Sequence, residues 1–261
     1  MTVLELQEVT KVFPGRKGAQ VRALDRVSFC IEEGESVGLI GPSGSGKSTV
    51  ANAVCRFIDV TSGRILLRGC DITEARGKAL RQAYKEVQMV FQSPRSSFDP
   101  RRTLGDGVGE CLKNGGVGEC LKNGGVGKAE RRERVRALLE RCGLPAAAAD
   151  WYPHEVSGGQ CQRAAIARAL AAQPRLLVCD EATSALDVMA QRQILKLLLG
   201  LKAEGRLQLL FITHNLAVAQ QCCDRLVVMD KGRIVEEGRM DDVVCRPQSE
   251  YTRRLIEAVL Y

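Results

Sequence analysis

Residues 41–48 read GPSGSGKS, fitting the pattern G-x-x-x-x-G-K-[ST], and they lie between an apolar run, SVGLIG, and a helix-forming run, TVANAVCRFI. A turn of this composition suits one chemistry, the cradling of a polyphosphate. Gly41, Gly44 and Gly46, with Pro42, Ser43 and Ser45, let successive backbone N–H groups curl around an anion at a helix N-terminus, where the helix dipole also favours negative charge. Lys47 is expected to bridge the β- and γ-phosphates and Ser48 to place its hydroxyl on Mg²⁺, with Thr49 following in the first helical turn. The plain alternative is a glycine turn that merely precedes a helix, and the flanking strand and helix weigh against it. A second group, RLLVCDE at residues 175–181, is an apolar strand ending in two carboxylates. Asp180 can hold Mg²⁺ through water, and Glu181 can polarise an attacking water. Alone, such a pair more often caps the next helix; beside a phosphate loop it is the expected partner.

The third group, VSGGQCQRAAIARAL at residues 156–170, opens a long helix with Ser157, Gly158, Gly159 and Gln160. A serine-capped helix is sufficient physics for SGGQ by itself. Placed shortly before the DE strand, however, the segment resembles the signature of the ATP-binding cassette (ABC) ATPases. That resemblance implies a head-to-tail dimer, in which the signature of one chain closes on the ATP held by the phosphate loop of the other. It extends over nearly the whole chain. Gln92, after VQMVF, matches the family glutamine that senses Mg²⁺ and the membrane subunit. Ser184, Ala185, Leu186 and Asp187 match the loop that meets the other cassette, His214 the histidine that contacts the γ-phosphate, and Phe13 the aromatic stacked on adenine. Taken singly, a histidine at a strand end is usually structural and Phe13 could be core. Two positions depart from the family pattern: Asn215 follows the histidine in place of aspartate, and Val156 opens the signature in place of leucine. Neither removes a group that touches phosphate.

These residues need elements to hold them. VLELQEVTKVF and ALDRVSFCIEEGE alternate as antiparallel strands do, whereas SVGLIG, RLLVCD, LQLLFITH and RLVVMD are compact apolar runs separated by helical stretches such as DVMAQRQILKLLLGLKAE. Apolar strands alternating with helices imply a parallel sheet covered on both faces. DKG, between RLVVM and RIVEEG, reads as a hairpin turn. From 93 to 155 the sequence is charged and helix-forming without buried strands. The expected fold is therefore α/β, a P-loop NTPase with a mainly parallel core sheet, an N-terminal antiparallel β subdomain and an inserted α-helical subdomain. Residues 1–92 and 156–261 form the core with its β subdomain, and 93–155 form the insert leading into the signature.

Composition narrows the setting. With 261 residues and 45% hydrophobic content the chain can bury a large core. No apolar run approaches the roughly 18 residues of a membrane span, and the start lacks the regions of a signal peptide, so the chain is expected to stay in the cytoplasm; the family resemblance implies the cytoplasmic face of the membrane, held there by partners. The formal charge of +7 is spread without a polybasic block, which gives no reason to expect nucleic acid. Eleven cysteines at scattered positions, with no CxxC pair, are expected to be reduced, several packing as small apolar side chains.

VQMVFQSPRSSFDPRRTL and the tail RPQSEYTRRLIEAVL resemble the ATPase subunits of dipeptide, oligopeptide and nickel importers. The resemblance implies ATP and Mg²⁺ as ligands and integral membrane permeases as partners. It also implies a second ABC ATPase subunit, a different chain or a second copy, and indirectly a substrate-binding protein. Peptide and metal-chelate uptake stay open at this point. A soluble ABC-type ATPase of translation or DNA repair is the alternative, though such chains usually carry two cassettes or a long coiled-coil insertion. An export cassette would usually be fused to its membrane spans, and a P-loop ATPase outside transport would leave the signature unexplained.

VGECLKNGG occurs twice in tandem, at 108–116 and 117–125. Inserting nine residues into a helix adds about 900° of rotation, half a turn beyond two full turns, which would throw a packed apolar face into water. Each copy carries Asn-Gly-Gly, a strong helix stop, so the extra copy is expected as a loop or short separate turn away from bound ATP. Deleting residues 117–125 should therefore leave ATP affinity and hydrolysis almost unchanged, with at most a modest shift in transport coupling. ATPase activity and melting temperature of the deletion variant check this, and a large loss of both would show the second copy packed into the core.

Overall fold

The computed structural model describes residues 1–15, 19–113, 127–205 and 207–260, and the second VGECLKNGG copy lies outside them. The chain opens with two long antiparallel strands, β1 (Thr2–Pro14) and β2 (Gln20–Glu32), paired from Thr2 opposite Glu32 to Pro14 opposite Gln20. Strand β3 (Ser36–Ile40), buried at every position, enters a second sheet, and helix α1 (Lys47–Val54) follows the glycine turn. The helix stops short of the end of its helix-forming run, because Arg56 adopts a left-handed conformation and turns its guanidinium onto Asp59 at 2.8 Å.

Strands β4 (Ser62–Leu67) and β5 (Cys70–Asp71) then return to the first sheet, whose order is β2-β1-β4-β5, antiparallel throughout. The sequence reading placed the strands of this antiparallel subdomain only before residue 36. SGRILL has the right composition, but its partner, β1, lies across the whole phosphate-loop unit, and no local pattern specifies so distant a pairing.

Helix α2 (Gly77–Glu86) leads into β6 (Val87–Val90). Between β6 and the next strand the described residues form helices and turns only: α3 (Leu104–Val108), α4 (Glu110–Lys113), α5 (Lys128–Arg141) and α6 (Gly158–Leu170), with short 3-10 turns at Arg95–Ser97 and Ala146–Asp150. The remainder alternates: β7 (Leu176–Asp180), α7 (Val188–Ala203), β8 (Gln208–Ile212), α8 (Leu216–Cys222), β9 (Arg225–Asp230), β10 (Arg233–Arg239), α9 (Met240–Cys245) and α10 (Glu250–Leu260).

The second sheet has the order β10-β9-β3-β8-β7-β6, parallel except for the β9–β10 hairpin. Its strands divide their side chains strictly by parity. Val37, Leu39, Val178, Leu210, Ile212 and Val227 join the core shared with the antiparallel sheet and α1. Ile40, Leu177, Cys179, Leu209, Phe211 and Val228 join the core built with α6, α7 and α8. That two-sided burial explains why these strands read as continuous apolar runs. Because β3, β6, β7 and β8 run parallel, their carboxyl ends all emerge on one edge, where open α/β sheets place their ligands.

The β9–β10 turn is Lys231–Gly232, both with positive φ, as a two-residue hairpin of the twisted type requires. It braces the site from behind. The Gly232 N–H donates to the Ser45 carbonyl at 3.0 Å, and the Gly232 carbonyl accepts from the Asp25 N–H at 2.9 Å. A Cβ on Gly232 would sit 2.8 Å from the Ala23 carbonyl oxygen, on a backbone with φ of +80°. Gly232→Ala should lower stability by roughly 1–3 kcal/mol, measured by urea unfolding; a change within error would show that the turn can move off β2 without cost.

Candidate functional site

Helix α1 begins at Gly46, whose left-handed φ of 105° no β-carbon tolerates easily; a Cβ there would lie 2.5 Å from the Ala23 carbonyl oxygen. The sharp turn folds the loop over its own helix terminus. Lys47 reaches back along it, its ammonium donating to the Gly41 carbonyl at 2.9 Å and the Pro42 carbonyl at 2.8 Å. Burial lowers the Lys47 pKa, and the charges of Glu181 and Asp180 oppose that shift. A cation held among carbonyls beside two carboxylates is positioned for phosphate oxygens arriving over the loop.

Asp180 ends β7 and Glu181 follows it, and their side chains meet different groups. Ser48 Oγ donates to Asp180 Oδ1 at 3.2 Å, uniting the helix and strand ends. Glu181 takes a left-handed φ of 48° while its N–H still donates to the Ile212 carbonyl at 2.9 Å, so the sheet ladder holds its backbone as the side chain turns away. Its carboxylate receives Gln92 Nε2 at 2.9 Å and faces His214 Nδ1 at 3.3 Å. Gln92 also donates to Ser184 Oγ at 3.1 Å, and Ser184 in turn donates to the Glu181 carbonyl at 3.0 Å. Gln92 follows β6 and His214 follows β8, so residues from four strand ends converge on a single carboxylate pair.

Ser157 to Gln160 form a separate unit. Ser157 Oγ accepts the Gln160 N–H at 3.2 Å, and Gln160 Oε1 accepts the Ser157 N–H at 2.9 Å, a complete capping box for α6. Among the described residues no hydrogen bond joins this unit to Lys47, Asp180 or Glu181. It packs instead against the 184–187 loop and the start of α7: the Cβ position of Gly158 lies 3.7 Å from Leu186 Cδ2, and that of Gly159 lies 3.1 Å from the Ala190 Cβ. Asp187 caps α7 by accepting the Ala190 N–H at 2.9 Å.

Phe13 is half-buried near the end of β1, with Lys11 Nζ 4.9 Å from its ring centroid. It pairs with Val21, two residues before the Ala23 carbonyl that approaches Gly46. The two departures are structurally conservative. Asn215 caps α8 through Oδ1, accepting the Val218 N–H at 3.3 Å as an aspartate would, and Val156 is buried.

Sequence reasoning missed the brace of Gly232 behind Ser45. It also missed Thr213, whose N–H donates to the Leu39 carbonyl at 3.2 Å and locks the β8 end to β3. Both act through backbone groups, which leave no side-chain signature. The described cysteines are free, and burial holds the Cys55 and Cys142 thiols at a pKa of about 12, far from thiolate chemistry.

The oxygen donors Ser48 and Asp180 fit a hard cation such as Mg²⁺, which takes few protein ligands and completes its shell with phosphate and water. Among the described residues no group of three or more His, Cys, Asp or Glu forms a metal cage.

Three comparisons with known proteins bear on this geometry. A family model described as "ABC transporter" matches residues 24–184. A Brucella ovis chain bearing the name of a peptide import ATP-binding protein is 43% identical over 93% of this chain and 74% of its own length. The oligopeptide transport ATP-binding protein OppF of Salmonella typhimurium is 38% identical over 98% of this chain and 77% of its own. Among solved structures, the dimeric post-hydrolysis state of the cassette MJ0796 bound to ADP and Pi superposes with a TM-score of 0.80 at 30% identity. It covers 91% of this chain and 98% of that one.

Burial raises the Asp180 pKa; the Glu181 charge adds to the rise, while the Ser48 hydrogen bond and Lys47 oppose it. A carboxyl whose pKa is raised by folding contributes most below its unfolded pKa, and that contribution is lost as pH rises through the folded value. Near neutral pH the ionised Asp180 is therefore a local liability. Asp180→Asn should raise the melting temperature of the nucleotide-free chain by roughly 2 °C while weakening Mg²⁺-dependent nucleotide binding. Thermal scans of both chains check this; a lowered melting temperature would mean that attraction to Lys47 outweighs burial.

Proposed function

This chain belongs to the ABC transporter family, and from that premise we propose that it hydrolyses ATP to drive peptide import through separate membrane subunits. The observation that carries the reading is the convergence of Gln92 and His214 on Glu181, beside the Ser48–Asp180 pair and the phosphate turn. Phosphoryl transfer to water asks little covalent chemistry of a protein. It asks for an oriented water, an in-line phosphate and charge neutralisation.

In this reading residues 41–49 cradle the ATP phosphates, with Lys47 leaving the loop carbonyls to bridge the β- and γ-phosphates, while Phe13 stacks on the adenine. Mg²⁺ would be held by Ser48, by Gln92 and, through water, by Asp180, and would neutralise charge on the phosphate oxygens. Glu181 orients and polarises the attacking water. Gln92 and His214 hold that carboxylate in place, and His214 is exposed enough to reach the γ-phosphate.

The complete capping box at Ser157, which among the described residues has no hydrogen bond to this chain's own carboxylates, supports a role on a partner's nucleotide. Ser157, Gly158, Gly159 and Gln160 would close on ATP held by a second cassette, a different chain or a second copy, with Ser184 to Asp187 at the contact. Among the described residues no helix is long and apolar enough to cross a membrane. In this reading the permease is a separate protein, with this chain on its cytoplasmic face, residues 93–155 turned towards it and a substrate-binding protein acting indirectly. The names of the relatives, peptide import and oligopeptide transport, favour peptides over nickel chelates and an importer over a soluble ATPase of translation or repair.

Glu181→Gln preserves shape and loses the carboxylate. In the assembled transporter it should keep ATP affinity while cutting turnover by at least about a hundredfold, and nucleotide-bound dimers should accumulate. Steady-state phosphate release together with nucleotide binding measures both, and near-normal hydrolysis would remove Glu181 from its role.

A further inference from the structure

Helix α6 fastens the segment that carries Gln92 at three points. Gln162, wholly buried in α6, donates through Nε2 to the Phe91 carbonyl at 3.3 Å. Further along the helix Arg168 donates to the Ser97 carbonyl and lays its guanidinium 4.6 Å from the Phe98 ring centroid. The third bond runs the other way: Arg95 donates through Nη2 to the Val156 carbonyl at 2.6 Å.

Of the three, only Arg95 reaches the helix entrance. Val156 immediately precedes the cap Ser157, so its carbonyl lies outside the intrahelical ladder and is available as an acceptor. A guanidinium at a helix N-terminus is opposed by the dipole, so Arg95 gains nothing there as a helix stabiliser. What the bond fixes is distance. Through it the segment that places Gln92 on Glu181 is locked to the turn that presents Ser157.

We infer that Arg95 is a positioning residue that sets the Ser157–Gln160 turn in register with Gln92, so that this chain's own site and the surface it offers to a partner's nucleotide move together. The inference rests on the reading of Ser157 to Gln160 given under Proposed function. Residues 91–98 then form a strap: whatever draws Gln92 towards Glu181 also pulls on the entrance of α6. Arg95 would then carry the part of the link between the two nucleotide sites of a dimer that reaches the helix entrance, beside the anchors at Gln162 and Arg168.

The test uses Arg95→Ala and Arg95→Lys in the full chain. Hydrogen–deuterium exchange, which needs no hydrolysis, should quicken in both peptides 91–98 and 156–163 of Arg95→Ala, leaving β3 and α1 unchanged. In the assembled transporter kcat should fall about tenfold, as for a lost charge-assisted hydrogen bond, with KM for ATP within about twofold. Lysine, which keeps one donor, should restore part of kcat. Unchanged exchange in either peptide overturns the inference, as does a parallel loss of melting temperature, ATP binding and kcat, which would mark a general folding role. If the wild-type assembly itself shows no ATPase activity, the functional reading fails separately, and the exchange result still decides whether Arg95 couples the two segments.

Discussion

Two carboxylates on consecutive residues at the end of one buried strand repel each other, and the arrangement of this molecule follows from separating them. Asp180 continues the strand and faces Ser48 and Lys47; Glu181 breaks to a left-handed backbone and faces Gln92 and His214. Each acid needs its own neighbours, and those neighbours come from different strand ends. Only a parallel sheet delivers β3, β6, β7 and β8 to one edge with their carboxyl ends together. Burial on both faces then fixes which residue of each strand stands last.

This dependence also explains what could be read in advance. The phosphate turn, the DE pair and the compact strands are local statements, since a glycine pattern or an apolar run carries its own physics, and the structure places each in the predicted element. Gln92 and His214 were legible only by resemblance, because a glutamine after VQMVF and a histidine after LQLLFIT have no local reason to face Glu181. The return of β4 and β5 to the first sheet and the bond from Gly232 to Ser45 were not legible at all. Both are pairings of backbone groups far apart in sequence, specified by the closed shape of the whole rather than by any short string.

Small changes of residue type are absorbed where the group that matters survives. Asn215 caps α8 with the same oxygen an aspartate would offer, and the valine at 156 still fills its buried place. The cysteines follow the same logic. Cys179 and Cys222, buried in a strand and at a helix end, pack as small apolar side chains, and burial raises the Cys179 pKa far above the ordinary thiol value.

The capping box at α6 has one more consequence. Ser157 Oγ spends a lone pair on the Gln160 N–H, and that leaves its hydroxyl proton free to point outward. For helix stability alone aspartate would serve as well at that position, since both residues cap through an oxygen. Aspartate, however, has no proton to give and, in the proposed dimer, would bring a negative charge towards the partner's phosphates. If Ser157 closes on a partner's nucleotide as proposed, the identity of residue 157 is set by the direction of hydrogen bonding towards an incoming phosphate and by charge neutrality, two demands that the fold of the isolated chain does not impose.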